Sequence, residues 1–233
     1  MQRFLSFVWI LVRKDFRIEL RTKEVLVVTL FFSALVSLVA GISFYSGALA
    51  TSAFAPGAMW LPLAFAAVLA TARFWERERE NEALNGILLS AAPRTAIYVA
   101  KVALLVTFLL VVAFLVVPLA ALFFHIDLLV SGTQLAALAV MVSLGAAAIS
   151  ALFGAMTVRT GARDLMLSAV LFPLLTPLVM TAVTATRELL LTGESGHVPG
   201  WGDLRDYFLL LGVFDFVALA LGAGLFRLLV EDG

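Results

Sequence analysis

The sequence predicts an all-α integral membrane protein with six transmembrane helices. Of its 233 residues, 63% are hydrophobic and only 14% are charged, and the mean hydropathy is +1.07. These values lie outside the range of an ordinary soluble domain. A helix that crosses the bilayer needs about 20 mostly apolar residues. Runs of that kind lie near residues 25–45, 57–74, 96–124, 134–158, 165–186 and 207–229.

Residues 1–24 precede the first apolar run and follow a different pattern. Large apolar residues repeat there at helical spacing, while basic residues occupy the other faces. This pattern predicts an amphipathic helix that lies in the plane of the membrane interface. The residues that best represent its two faces are Trp9, Arg13, Phe16 and Arg17. The apolar run that follows is about 20 residues long, which exceeds the apolar region of a signal peptide, and it lies behind a charged stretch of 24 residues, so it is predicted to be a retained span.

The net charge of zero conceals an asymmetry between the two sides of the predicted bundle. Fourteen of the 16 Lys and Arg residues lie at the N-terminus or in alternate loops, and only Arg187 and Arg205 lie on the other side. The positive-inside rule therefore predicts that both termini are cytoplasmic. A transmembrane domain is expected over 25–229 and a short cytoplasmic tail over 230–233.

A charged, amphipathic segment over 75–93 separates the second and third spans. Acidic and basic residues alternate at its start, and apolar residues then recur at i, i+3 and i+4 on one face of a short helix. Such a segment is suited to docking a cytoplasmic partner, although basic residues beside spans are also common topology determinants. The residues expected to make that contact are Glu76, Arg77, Glu80, Glu82, Leu84, Ile87 and Leu88.

Several kinds of chemistry are absent from the sequence. The cysteine count is zero, which excludes disulfides, thiolate metal sites and thiol catalysis. No G-x-x-x-x-G-K-[ST] motif is present to bind the phosphates of ATP. No catalytic triad, metal-ligand motif or basic surface suited to nucleic acid is apparent. We therefore expect no catalytic residues and no bound metal, and any ATP would have to be bound by a partner.

A few polar or helix-bending residues lie within or beside the spans. Asp215 is an acid well inside the sixth span, and an intramembrane acid is by default a candidate functional residue. Pro173 and Pro177 are expected to bend the fifth span. His125 and His197 could ligate haem iron, but each stands alone, and an ordinary loop histidine is the favoured interpretation of both.

Three stretches, 12–24, 55–102 and 165–180, resemble the haem exporter protein B (CcmB) family in order and spacing. The most specific part is Trp75, the acidic tract 76–82, the Leu-rich turn 84–89, Pro93 and Lys101. At 81–85, where that family usually reads Asp-Gly-Ser-Leu-Glu, the chain reads Asn-Glu-Ala-Leu-Asn. This difference brings the segment nearer to the wider group of ABC-2-type permeases.

The resemblance implies half of an ABC-2-type permease in the inner membrane of a bacterium. Its expected partners are a separate ABC ATPase, a second copy of the chain, haem-handling membrane subunits and a periplasmic haem chaperone. Haem would then be handled by the complex, with 75–93 acting as the coupling helix. Two alternatives remain: an ABC-2-type permease that exports another substrate, and a stand-alone secondary transporter or membrane enzyme.

Overall fold

The described part of the chain is built from α-helices alone. The computed structural model describes residues 2–43, 48–80, 93–160, 164–194 and 200–231. Within these ranges there are seven helices and no strand. The helices are α1 (Gln2–Thr22), α2 (Glu24–Ser43), α3 (Ala48–Glu80), α4 (Arg94–Phe124), α5 (Leu128–Thr160), α6 (Asp164–Glu194) and α7 (Arg205–Glu231).

Helices α2 to α7 are each long and apolar enough to cross a membrane. The all-α class and the six apolar spans predicted from sequence are thereby confirmed. The spanning portions are Val25–Ser43, Ala53–Glu76, Arg94–Phe124, Leu128–Met156, Ala169–Leu191 and Arg205–Phe226.

Several helices extend beyond the apolar runs seen in the sequence. Helix α3 continues to Glu80, so residues 75–80 prolong the span and are not a separate helix. Helix α5 begins at Leu128, where the backbone N–H of Leu129 donates to Asp127 Oδ1 at 2.8 Å. An apolar window ends where charges begin, whereas a helix ends where its backbone groups find other partners.

Helices α3 and α5 form the centre of the bundle. Helix α3 packs against α2, α4, α5 and α6, and α5 packs against α3, α4, α6 and α7. Buried apolar side chains fill these contacts, among them Met59, Leu63 and Leu138. The indole N–H of Trp60 donates to Thr186 Oγ1 at 2.8 Å, which joins α3 to α6 inside the core.

The outer helices carry large apolar side chains on the surface of the bundle. Phe31 of α2, Phe114 of α4 and Phe216 of α7 are 70%, 83% and 72% exposed. In water such surfaces would drive association, but lipid tails are as apolar as these side chains. The surface of α2, α4 and α7 is therefore suited to hydrocarbon.

A sharp junction joins α1 to the first span. Lys23 adopts a left-handed backbone conformation with φ of 54°, and its N–H donates to the Glu19 carbonyl oxygen at 2.6 Å. The buried Glu19 side chain accepts a hydrogen bond from the Leu26 backbone N–H at 2.8 Å. A carboxylate at this position satisfies one free N–H in the first turn of α2 and favours its positive end. The angle between the two helices is therefore held by specific bonds.

Candidate functional site around Lys101

A buried ion pair joins α1 to the first turns of α4. Lys101 Nζ lies 2.7 Å from Asp15 Oδ2, and the two side chains are only 7% and 9% exposed. A second cation, Lys14 Nζ, lies 3.1 Å from Asp15 Oδ1. Removing one partner of such a pair leaves an uncompensated buried charge, which is strongly unfavourable. Asp15 and Lys101 are therefore expected to hold α1 and α4 together.

Trp75, near the end of α3, lies beside this ion pair. Its indole is 2% exposed, and Lys101 Nζ lies 5.7 Å from the ring centroid, within cation–π range. The ring also contacts α5 at Gly154, where a Cβ atom would collide with the indole. Glycine at 154 thus lets the indole approach the α5 backbone closely. Trp75 connects the end of α3 to both α4 and α5.

Tyr98, one turn before Lys101, extends the contacts of α4 to two more helices. Its hydroxyl donates to the Ala148 carbonyl of α5 at 3.1 Å and lies 3.5 Å from the Ala218 carbonyl of α7. A Cβ atom at Gly222 of α7 would collide with this hydroxyl. The first turns of α4 therefore contact α1, α3, α5 and α7.

Asp15, Trp75, Tyr98, Lys101 and Gly154 are called the Lys101 cluster below. The cluster lies at the two helix ends that flank residues 81–92, because α3 ends at Glu80 and α4 begins at Arg94. The start of α4 contacts α1, α3, α5 and α7, and the end of α3 contacts α4 and α5. Among the described residues, no group of three or more His, Cys, Asp or Glu side chains is placed to hold a metal ion.

The predicted contact residues of the segment 75–93 are only partly within the described structure. Glu76 lies near the end of α3 and pairs with Arg73, with Nη1 and Oε2 2.9 Å apart. Arg77 and Glu80 belong to the last turn and a half of α3. The remaining predicted contacts lie outside the described residues: Glu82, Leu84, Ile87 and Leu88.

The predicted residues of the N-terminal helix all lie on α1. Trp9, Arg13, Phe16 and Arg17 are exposed on its surface. Their proposed contact with a membrane remains a prediction.

Asp215 lies where α5, α6 and α7 meet. It is 3% exposed, and neither carboxylate oxygen has a hydrogen-bond partner among the described residues. The carboxylate occupies the space that a Cβ atom at Gly145 would need, close to Leu178. Pro173 and Pro177 lie inside α6. Asp215 is thus packed between helices, and the functional roles of these three residues remain predictions.

His125 has a structural position at the end of α4. It is exposed and adopts a left-handed conformation, with φ of 54° and ψ of 41°, and its backbone N–H donates to the Ala121 carbonyl. This arrangement ends the helix and satisfies one of its last carbonyl groups. His197 lies outside the described residues. A haem-ligand role for either histidine remains a prediction.

Sequence reasoning missed the acids that face into the bundle. Asp15 and Glu19 are four residues apart and share the inner face of α1, 8% and 6% exposed. Their spacing was a usable signal, since two acids one turn apart in a basic segment point to an acidic stripe. Tyr98 gave no such signal, because an aromatic residue at the start of a span is normally part of an interfacial belt.

This is a multi-pass membrane protein, because it has six apolar helices long enough to span a bilayer. In each of them the backbone polar groups form hydrogen bonds within the helix, as the bilayer requires. Residues 6–225 match the family described as CcmB protein, and the chain belongs to this family. It is thus a membrane permease component of cytochrome c maturation. No curated protein matches the chain.

Proposed function

We propose that this chain is the permease subunit of a haem-related ABC complex, driven by a separate ATPase that docks on the segment 75–93. ATP hydrolysis by that partner would drive haem delivery or release of the haem-loaded periplasmic chaperone. The observation that supports this proposal most is the Lys101 cluster. It gathers five residues from α1, α3, α4 and α5 at the ends of the docking segment.

The cluster suggests how force would pass from the ATPase to the spans. Closure of the ATPase would displace the segment 75–93, to which α3 and α4 are covalently joined. Trp75 would carry the displacement to α5, and Tyr98 would carry it to α5 and α7. The buried pair of Asp15 with Lys101 would move α1 together with α4. Close-packed interfaces transmit such displacements because they are not continuously deformable.

The same proposal assigns different roles to the charged and the apolar residues of the segment. Glu76, Arg77, Glu80 and Glu82 would form a charged rim that governs encounter with the ATPase. Leu84, Ile87 and Leu88 would supply the buried contact area. By their spacing, these three apolar residues would share one face of a helix.

The permease is proposed to work as a homodimer within the complex. A two-fold arrangement would present one docking segment to each of two ATPase subunits. Six spans in one chain would then make half of a transmembrane core. Haem-handling membrane subunits would associate with this core within the membrane, and the haem chaperone would associate with its periplasmic side.

Affinity purification from native membranes tests the proposal. Purification in mild detergent is expected to recover an ABC ATPase and haem-handling subunits, in complexes that contain two permease and two ATPase copies, and to show an absorption spectrum of bound haem. The measurements are mass spectrometry of the partners, cross-linking to count the copies of each subunit, and visible spectroscopy. Recovery of a lone ATPase without haem-handling subunits would favour another export substrate. Recovery with no ATPase would contradict the proposal, and a 1:1 complex would contradict the dimer.

Topology is a separate prediction of the proposal. An even number of spans places both termini on one side of the membrane, and the charge bias indicates that this side is the cytoplasm. The membrane would be the inner membrane of a bacterium. Alkaline phosphatase fused after residue 198 is expected to be active, whereas green fluorescent protein fused after residue 233 should fluoresce. Each reporter placed at the other site serves as the control. A fluorescent fusion at 198 or an active phosphatase at 233 would exclude this orientation.

A further inference from the structure

Helix α1 separates its charges by sign between the inside and the outside. Its two described acids, Asp15 and Glu19, are 8% and 6% exposed and face the bundle. The basic residues Arg13, Arg17 and Arg21 are exposed. The surface that α1 presents outward is therefore cationic, even though the helix as a whole contains both kinds of charge.

The exposed arginines continue a stripe that begins with apolar residues. Leu5, Trp9, Arg13, Arg17 and Arg21 follow one another at four-residue intervals, so each is adjacent to the next on the helix surface and the row winds gradually around the helix. Leu5 and Trp9 are 60% and 67% exposed. One continuous surface thus offers apolar side chains at one end and guanidinium groups at the other.

The outward direction of this stripe is held by two buried contacts on the opposite side. Asp15 pairs with Lys101 of α4 at 2.7 Å, and Glu19 accepts a hydrogen bond from the Leu26 backbone N–H of α2 at 2.8 Å. Rotation of α1 about its axis would break both contacts. The helix that carries the arginines is therefore held with them on the outer surface, so a ligand would need to order only their side chains.

We propose that this face of α1 binds the anionic headgroups of phospholipids in the adjoining leaflet. The inference rests on the prediction from sequence that α1 lies in the plane of the membrane interface, and it is independent of the proposed docking of an ATPase. Exposed Trp and Leu side chains insert at the boundary between headgroups and acyl chains, and neighbouring basic residues attract anionic lipids. Guanidinium groups also bind phosphate through paired N–H donors. An acidic protein surface would satisfy the arginines, but it would leave Leu5 and Trp9 in water.

The experiment uses the fluorescence of Trp9 in the full-length protein. Trp60 and Trp75 are buried, and Trp201, the other exposed tryptophan among the described residues, is 55% exposed. The Trp201→Phe variant would be reconstituted in vesicles of phosphatidylcholine with phosphatidylglycerol. Either lipid would carry bromine, which quenches nearby indoles, at equal mole fraction and without ATPase or ATP.

Brominated phosphatidylglycerol is expected to quench Trp9 more strongly than brominated phosphatidylcholine does. The difference should correspond to about a threefold to fivefold enrichment of phosphatidylglycerol around α1, because a cationic segment attracts anionic lipids. Arg13→Gln, Arg17→Gln and Arg21→Gln together should reduce the enrichment to about onefold, since the charge is lost. The matching triple Lys variant should retain it, and so should Arg187→Gln, which changes an exposed arginine of α6. High salt should lower the enrichment. Inorganic phosphate should lower it no more than chloride does at equal ionic strength.

Three results would overturn the inference. Equal quenching by the two brominated lipids would exclude a preference for anionic headgroups, while the interfacial position of α1 and the ATPase proposal would stand. No quenching by either lipid would exclude the interfacial position itself. Full enrichment in the triple Gln variant, combined with weaker ATPase capture, would identify the face as a protein-docking surface.

Discussion

Replacing Leu84 and Leu88 together with alanine is expected to weaken association with the partner ATPase by about a hundredfold or more. Each leucine, if fully covered by the partner, removes apolar surface worth roughly 1.5–3 kcal/mol. Loss of about 1.4 kcal/mol per side chain corresponds to a tenfold change for each. Both residues lie outside the described structure, so the expectation rests on their helical spacing. Pull-down of the ATPase at matched membrane abundance provides the measurement.

Two control variants separate docking from general damage. Leu122→Ala changes a leucine that is 72% exposed near the other end of α4, and ATPase capture should be unchanged. Glu76→Lys with Glu80→Lys should slow association and make it sensitive to salt, since rim charges mostly govern encounter. Full ATPase capture and normal cytochrome c assembly by the double Ala variant would show that 75–93 only connects two spans and does not dock the ATPase.

Breaking the buried ion pair of α1 and α4 is expected to lower stability by about 3–5 kcal/mol, because the remaining charge stays buried without its partner. Either Asp15→Asn or Lys101→Met should have this effect, measured as a fall in the free energy of unfolding in detergent micelles. Combining the two changes should recover much of the loss, since no unpaired charge then remains. Lys14→Gln is the matched control, because the Lys14 side chain is 39% exposed and such pairs contribute little.

The role of the pair in coupling predicts a second effect, on function. The double variant, although restabilised, should bind the ATPase normally and yet support less cytochrome c assembly, because α1 would no longer be tied to α4. A loss of unfolding free energy in the double variant that equals the sum of the losses in the two single variants would show that the two side chains do not interact. Normal cytochrome c assembly in the double variant would show that the pair of Asp15 with Lys101 contributes to stability only.

Much of the fold followed from the sequence, because span helices are specified locally. A bilayer-crossing segment must satisfy its backbone internally and must be apolar over about 20 residues. Both requirements can be evaluated within one stretch of chain, which is why six spans were predicted and found. The boundaries were harder to place, as α3 shows. Its helix runs six residues past the predicted end of the span at 74, to Glu80, into charged residues that hydropathy excludes.

The candidate site was only partly predictable, and Lys101 shows why. In the sequence it is one more cation near the end of a span, and the positive-inside rule accounts for it completely. Its partner Asp15 lies 86 residues earlier, in a helix with a different pattern. Trp75 and Lys101 were singled out by resemblance to a family, but nothing in their spacing indicates that they touch. Tyr98 gained its role only from the packing of α4 against α5 and α7, and Gly154 only from the packing of α3 against α5.

By itself, the sequence determined that this protein is a six-span membrane protein with a charged segment between its second and third spans and no ATP-binding motif of its own. Hydrophobic length, charge bias and motif content are properties of the chain, and they do not depend on which helices are neighbours. The tertiary structure alone decided which charges are buried and which are exposed. Asp15 and Glu19 face inward while Arg13 and Arg17 face outward, because α1 packs with one particular side against α4 and α2. Contacts between distant segments arise from packing, and no local pattern encodes them.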